Sequence, residues 1–170
     1  MEIRVLTEKD AAASRRLRLE GLRDNPTAFA ASYDEERQLT VELVAGRLIR
    51  TEYGAVFGAF DQEALVGMVG IQRESRSKLR HKALIWGMYV TPNCRRRGVG
   101  SQLLSALLDH GNTAMPGLRQ INLSVNATNV SAIEMFRKAG FEPFGVERAF
   151  LIADGVPHDL MHMVRFVTRA

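Results

Sequence analysis

Arg95-Arg96-Arg97-Gly98-Val99-Gly100 is the stretch of this chain whose residue types and spacing most clearly serve chemistry. An apolar run from Ala83 to Val90 precedes it, and Pro92 ends a strand there because it cannot donate to a sheet ladder. Beyond the glycines the period changes. Val99, Leu103, Leu104, Leu107 and Leu108 share one face of an α-helix. A glycine loop that opens a helix directs several unpaired N–H groups, and the positive end of the helix dipole, at one point. Such a point binds anions, phosphate above all, and arginines at its lip strengthen that preference. The dinucleotide fingerprint needs a third glycine that Ser101-Gln102-Leu103 does not supply. The nucleotide P-loop needs Gly-Lys-Ser/Thr, which is also missing.

The remaining titratable and nucleophilic groups are dispersed. Glu35 and Glu36 open a second helical stretch and are the candidate general bases, acting directly or through water; as first-turn carboxylates they also complement the helix dipole. His162 runs in phase with Leu160, Val164 and Phe166 and reads as a packed core histidine, while His158 could titrate near neutrality. His81 and His110 lie in polar flanks and are expected to face solvent. Cys94 beside Arg95 could carry a lowered thiol pKa, but no acid and base surround it. No His/Cys/Asp spacing suggests a metal site.

The elements that must position these groups follow from pattern and punctuation. Glu2 to Leu6 reads as a strand, and Thr7-Glu8-Lys9-Asp10 resembles a capping box that starts a helix over Ala11 to Leu22, ended near Pro26. Thr27 to Tyr33 reads as a loop and Glu35 to Arg50 as one helix, together walling a substrate cleft. Ala55–Phe60 and Ala64–Gln72 form a hairpin at Asp61-Gln62-Glu63, where Gly58, Gly67 and Gly70 imply twist or close packing. Glu74 to Lys82 is a polar connection and Leu118 to Val125 a strand. Asn129 to Ala139 is a helix capped by Gly140, and Glu142–Ile152 and Asp159–Val167 are final strands.

Composition sets the class. The 170 residues are 46% hydrophobic and 25% charged, as in ordinary globular proteins, and no apolar run approaches the ~20 residues of a membrane span. Met1-Glu2-Ile3-Arg4 runs straight into patterned sequence, so no secretory leader is expected, and the one cysteine leaves no internal disulfide. A soluble, cytoplasmic protein without membrane or metal partners is the expectation. The net charge of +4 is modest and locally concentrated, which fits an anion site better than a nucleic-acid surface.

Arg95-x-x-Gly98-x-Gly100 resembles the pyrophosphate loop of the GNAT superfamily of acyl-CoA-dependent N-acyltransferases, Gln/Arg-x-x-Gly-x-Gly/Ala. Asn129-Val130-Ser131-Ala132-Ile133-Glu134-Met135-Phe136-Arg137-Lys138-Ala139-Gly140-Phe141 looks like the second GNAT motif, Asn-x-x-Ala-x-x-x-Tyr-x-x-x-Gly-Phe. The resemblance implies one domain over residues 1–170, of α/β (α+β) class. Its central sheet would be mixed, mostly antiparallel and twisted, with six to seven strands flanked by about four helices. It implies acetyl transfer from acetyl-CoA, the cosubstrate, to a primary amine by direct attack in a ternary complex. Arg95, Arg96, Arg97, Gly98, Val99, Gly100 and Ser101 would hold the pyrophosphate, Met88, Tyr89 and Val90 would pair with the pantetheine arm, and Asn129 and Phe136 would complete the cofactor site. A homodimer is possible, as in many members.

Two departures bear on proton transfer. The family's tyrosine, often the acid for the leaving thiolate, is Phe136 here. The glutamate base of the branch that acetylates ribosomal protein N-termini falls at Ser124, a poor base. The base is therefore expected elsewhere, and a non-catalytic acyl-CoA-binding domain is the alternative reading.

Overall fold

The structure, a computed structural model, describes residues 1–167. The chain runs β1 (Glu2–Val5), α1 (Ala11–Asp24), α2 (Tyr33–Glu36), α3 (Val41–Leu48), β2 (Gly54–Asp61), β3 (Ala64–Arg73) and β4 (Lys82–Val90). It continues through α4 (Val99–Ala114), β5 (Gln120–Asn126), α5 (Val130–Lys138), β6 (Glu142–Ala153) and β7 (Val156–Phe166). The seven strands form one sheet in the order β1-β2-β3-β4-β5-β7-β6. Only β4 and β5 run parallel, because α4 carries the chain back between them. The mixed, mostly antiparallel sheet anticipated from the sequence is what forms.

Alternating side chains give the sheet two buried faces. On one, Leu103, Leu104 and Leu107 of α4 and Ile133 and Phe136 of α5 pack against Ile71, Ile121 and Met163. On the other, Leu17 of α1 and Leu48 of α3 cover Val56, Phe60, Met68 and Tyr89. Val99, Leu103, Leu104, Leu107 and Leu108, the stripe legible in the sequence, are all buried. Close packing at the glycines is also realised: a Cβ on Gly70 would run into the indole ring of Trp86.

One expected element is corrected. Glu35 to Arg50 is not one helix but two, α2 and α3, separated by residues 37–40. Two local caps outcompete continuity. Ser32 and Glu35 form a reciprocal capping box at the start of α2, and the Thr40 hydroxyl accepts the Leu43 N–H at the start of α3. The carbonyls freed between them do not go unpaired: Arg15 donates to Arg37 O at 2.7 Å and Leu39 O at 2.8 Å.

Strands β4 and β5 create the central opening. They pair only at Lys82–Leu84 against Gln120–Asn122, and from Ile85 onward β4 diverges. On its other edge β4 is bulged: Val69 alone lies opposite Gly87 and Met88, between the pairs Met68–Tyr89 and Gly70–Trp86. The splay leaves the end of a buried strand without a ladder partner on its β5 side.

Candidate active site

The opening between β4 and β5 widens into a groove of about 730 Å³, the size of site that holds a cofactor-sized ligand. Its floor is β4 from Ile85 to Val90 and β5 from Leu123 to Asn126, and its far wall is the start of α4 and one side of α5. Asn25, Ala28 and Phe29, from the connection after α1, close the near side.

The α4 end of the groove is built for negative charge. Arg96 and Gly98 both adopt left-handed backbone, at φ 60° and 78°, so the loop curls its N–H groups inward ahead of the helix. Gly98 occupies the cap position, no side chain caps the helix, and its first turn holds no acidic residue. The first return bond is from Gln102 N–H to Gly98 O at 3.0 Å, which leaves the N–H groups of Val99, Gly100 and Ser101 open to a ligand. The Arg95 guanidinium donates to Val90 O at 2.9 Å and lies 5.5 Å from the Tyr89 ring, tying the loop to the end of β4. Of the residues expected to hold a cofactor, Arg95, Arg96, Gly98, Val99, Gly100 and Ser101 line the groove, as do Met88, Tyr89, Val90, Asn129 and Phe136. Arg97 is exposed and does not line it, because the loop's curl turns it away. The Asn129 side-chain Oδ1 accepts the Ala132 N–H at 3.1 Å and so caps α5.

The two carboxylates expected to act as base do not reach the groove. Glu35 is committed to its capping box, where the Ser32 N–H and hydroxyl hold its carboxyl below the usual range. Glu36 accepts from Arg18 at 3.2 Å and lies 3.9 Å from Arg47, inside a separate cavity of about 40 Å³ beside Trp86 and Met68. That cavity, lined by Arg15, Arg18 and Arg47 with Glu36, also reaches the bulge of β4 through Trp86. The second nitrogen of the Arg18 guanidinium, Nη1, is buried there without a partner among the described residues. What the structure places at this helix start is a cap and an ion pair.

Several contacts at the site carry no signal in the sequence. The Tyr89 hydroxyl donates to Glu20 at 3.0 Å and Asp24 at 3.1 Å. Burial, and then those two carboxylates, push its pKa up, so it remains a neutral donor. Buried Asn126 donates to Thr27 O at 3.1 Å and accepts from the Thr128 N–H and hydroxyl at 2.9 and 2.7 Å, which pins the near wall to the end of β5. Phe136 packs edge-on to Phe141 at 5.9 Å, an apolar contact that a motif tyrosine would share.

The histidines also differ from expectation. His110 does not face solvent: its ring meets Phe57 edge-on at 5.5 Å, and burial, with a smaller contribution from Arg50, lowers its pKa. His81 is partly buried at the start of β4. His162 is not packed in the core. It lies between the Ser124 hydroxyl, 2.8 Å from Nδ1, and the Glu147 carboxylate, 3.2 Å from Nε2, with Phe144 stacked on its ring. Periodicity along β7 placed it correctly on a face; only the register between three strands shows what that face meets. Cys94 is buried and free. Among the described residues no three His, Cys, Asp or Glu gather as a metal site, and no helix is long and apolar enough to cross a membrane.

Residues 14–141 match the family model described as Acetyltransferase (GNAT) family. An uncharacterized protein of Mycobacterium leprae is 32% identical over 138 residues, 81% of this chain and 33% of that protein. The chain spans about a third to a half of the length of the curated relatives it matches. Among solved structures, a GNAT-family acetyltransferase from Streptococcus pneumoniae superposes with a TM-score of 0.85 at 22% identity, covering 98% of this chain and 99% of that one. A GNAT phosphinothricin acetyltransferase from Sinorhizobium meliloti, solved in complex with AcCoA, superposes at 0.83 with 24% identity, over 98% and 88% of the two chains.

Proposed function

The chain belongs to the GNAT acetyltransferase family, and we propose that it moves an acetyl group from acetyl-CoA to a primary amine by direct attack in a ternary complex. The observation that carries this reading is the conjunction of a splayed β4–β5 pair with an uncapped helix N-terminus at the end of the same groove. The open N–H groups of Val99, Gly100 and Ser101, with Arg95 and Arg96 at the lip, hold the pyrophosphate. The free edge of β4 at Met88 to Val90 takes the pantetheine arm as an added strand, and one of its N–H groups stabilises the oxyanion, a contribution of about 3–4 kcal/mol in comparable sites. Asn129 and Phe136 line the same groove and complete the cofactor site. The amine acceptor, whether a small molecule, an amino acid or a peptide N-terminus, enters past Asn25 and Phe29. Asn25 Nδ2 is a buried donor without a partner among the described residues, which suits a polar acceptor.

The test is direct binding of acetyl-CoA by calorimetry, followed by thiol release with a panel of amines. Gly98→Glu drives a carboxylate into the pyrophosphate loop and abolishes binding; an unchanged affinity in that variant removes the site assignment. A cytoplasmic location and a homodimer belong to the same proposal. The single free cysteine supports the first. The second is supported by Phe144, Val146, Phe150 and Ile152, exposed on the edge strand β6, and sedimentation at twice the chain mass is its expected outcome.

A further inference from the structure

Ser124, His162 and Glu147 sit side by side on β5, β7 and β6. Ser124 is directly across from His162 in the β5–β7 ladder, and β6 brings Glu147 to the far side of the imidazole. The linkage has a defined proton order. A carboxylate only accepts, so the Nε2 that faces Glu147 at 3.2 Å carries the hydrogen. Nδ1 is then a lone pair, and it accepts the Ser124 hydroxyl at 2.8 Å. Phe144 stacks on the ring and holds its plane. Ser124 itself lines the groove, two residues beyond the last β4–β5 pair, where the strands have parted. Leu123 and Val125 point into the core with α4 and α5, so Ser124 takes the opposite face, the side from which Phe29 and Asn126 wall the groove.

We propose that Ser124 is the catalytic proton acceptor for the incoming amine, and that His162 and Glu147 act through it as positioning residues. This rests on the acetyl-transfer reading above. The amine nitrogen attacks the thioester carbon, the new C–N bond forms, and the carbonyl electrons move onto oxygen. As nitrogen becomes positively charged, its proton passes to Ser124 Oγ while the serine proton passes to His162 Nδ1. Glu147 stabilises the resulting imidazolium. Collapse of the intermediate breaks the C–S bond, CoA departs as the thiolate and takes a proton from solvent, and partly exposed His162 returns its proton to solvent. A serine that is a poor base alone becomes competent when an imidazole stands behind it. This also answers how the position works without the glutamate found there in the ribosomal-protein branch. Glu142, paired with Val164, and His158, paired with Leu151, share this face of β6 and β7, and Glu142 carries charge of the same sign as Glu147.

The experiment compares wild type with His162→Gln, Ser124→Ala, Glu147→Gln and the double variant Ser124→Glu/His162→Gln. It measures acetyl-CoA affinity by calorimetry and thiol release from acetyl-CoA, with water alone and with amino acids, polyamines, aralkylamines and short peptides. His162→Gln and Ser124→Ala are expected to lose about 100-fold or more in kcat, with acetyl-CoA affinity within about twofold of wild type. Glu147→Gln is expected to lower kcat by about tenfold with acetyl-CoA affinity within about twofold of wild type, because the imidazolium formed in the step loses the carboxylate 3.2 Å from Nε2. A carboxylate placed at position 124 in the double variant restores turnover, which a purely structural role for His162 does not allow. Full activity with an unshifted pH profile in His162→Gln overturns the relay while leaving acetyl transfer intact. Absence of any thiol release by a wild type that binds acetyl-CoA also overturns it. Failure of the wild type to bind acetyl-CoA instead removes the acetyl-transfer reading itself.

Discussion

Gly98 shows how much of this site depends on backbone. At φ 78° it stands where an L side chain costs roughly 1–2 kcal/mol. Gly98→Ala is expected to weaken acetyl-CoA binding about tenfold, read by calorimetry, because the loop relaxes toward negative φ and turns N–H groups out of the groove. At the other end of the chain, Arg4 grips Asp10 with two bonds of 2.8 and 2.9 Å, and Asp10 also accepts the Thr7 N–H at 2.8 Å. The Arg4 bond, ahead of the Thr7 bonds, lowers the Asp10 carboxyl to about 2, against about 3.9 in an unfolded chain. Since the folded value is the lower one, the stability this contact supplies is complete above about pH 4 and is lost as pH falls through about 2. Arg4 is 39% exposed, so solvent screening limits the contribution to about 1 kcal/mol. Asp10→Asn should therefore lower the urea midpoint at pH 6 and lower it by less than half as much at pH 2.

At the scale of elements, the parts legible in the sequence are those fixed by neighbours in the chain. The buried stripe of α4, the Gly98 turn, the Gly140 cap and the capping box at Thr7–Asp10 are local, and each formed where pattern placed it. The division between α2 and α3 was less visible, because Thr40 reads as an ordinary helical residue until its hydroxyl is seen to take Leu43 N–H. The chain Ser124–His162–Glu147 was invisible for a stronger reason. Its members are brought together by strand register, with a bulge in β6 between Pro143 and Gly145, and no local period encodes that. The β4 bulge is of the same kind. Gly70 on β3 is what lets Trp86 lie flat across the strand beside it. Gly70→Ala pushes the indole off β3 and is expected to cost about 1–3 kcal/mol in urea unfolding. Because Trp86 lines both the groove and the Arg18–Glu36 cavity, the same change should lower kcat by more than it weakens acetyl-CoA binding.

For the whole molecule, the groove draws its lining from segments far apart in the chain: Asn25 and Phe29, Trp86 to Val90, the start of α4, the end of β5 and one side of α5. The two cores share a single sheet, so the chain is expected to act as one domain and to unfold in one transition. A ligand seated in the groove bridges a β4–β5 pair that the protein alone leaves parted, and it does so between elements from both faces of the sheet. Stabilisation by acetyl-CoA should accordingly be global. At a free concentration 100-fold above Kd it amounts to about 2.7 kcal/mol, and at roughly 2–4 °C per kcal/mol for a chain of this size the melting temperature should rise by about 5–10 °C. Amide exchange should slow together in the connection after α1, along Ile85 to Val90 and at the N-terminus of α4. Gly98→Glu should show neither effect, while Asp10→Asn, distant from the groove, should retain the full increment from a lower baseline at pH 6. A shift of equal size in Gly98→Glu would place acetyl-CoA somewhere other than between β4 and β5.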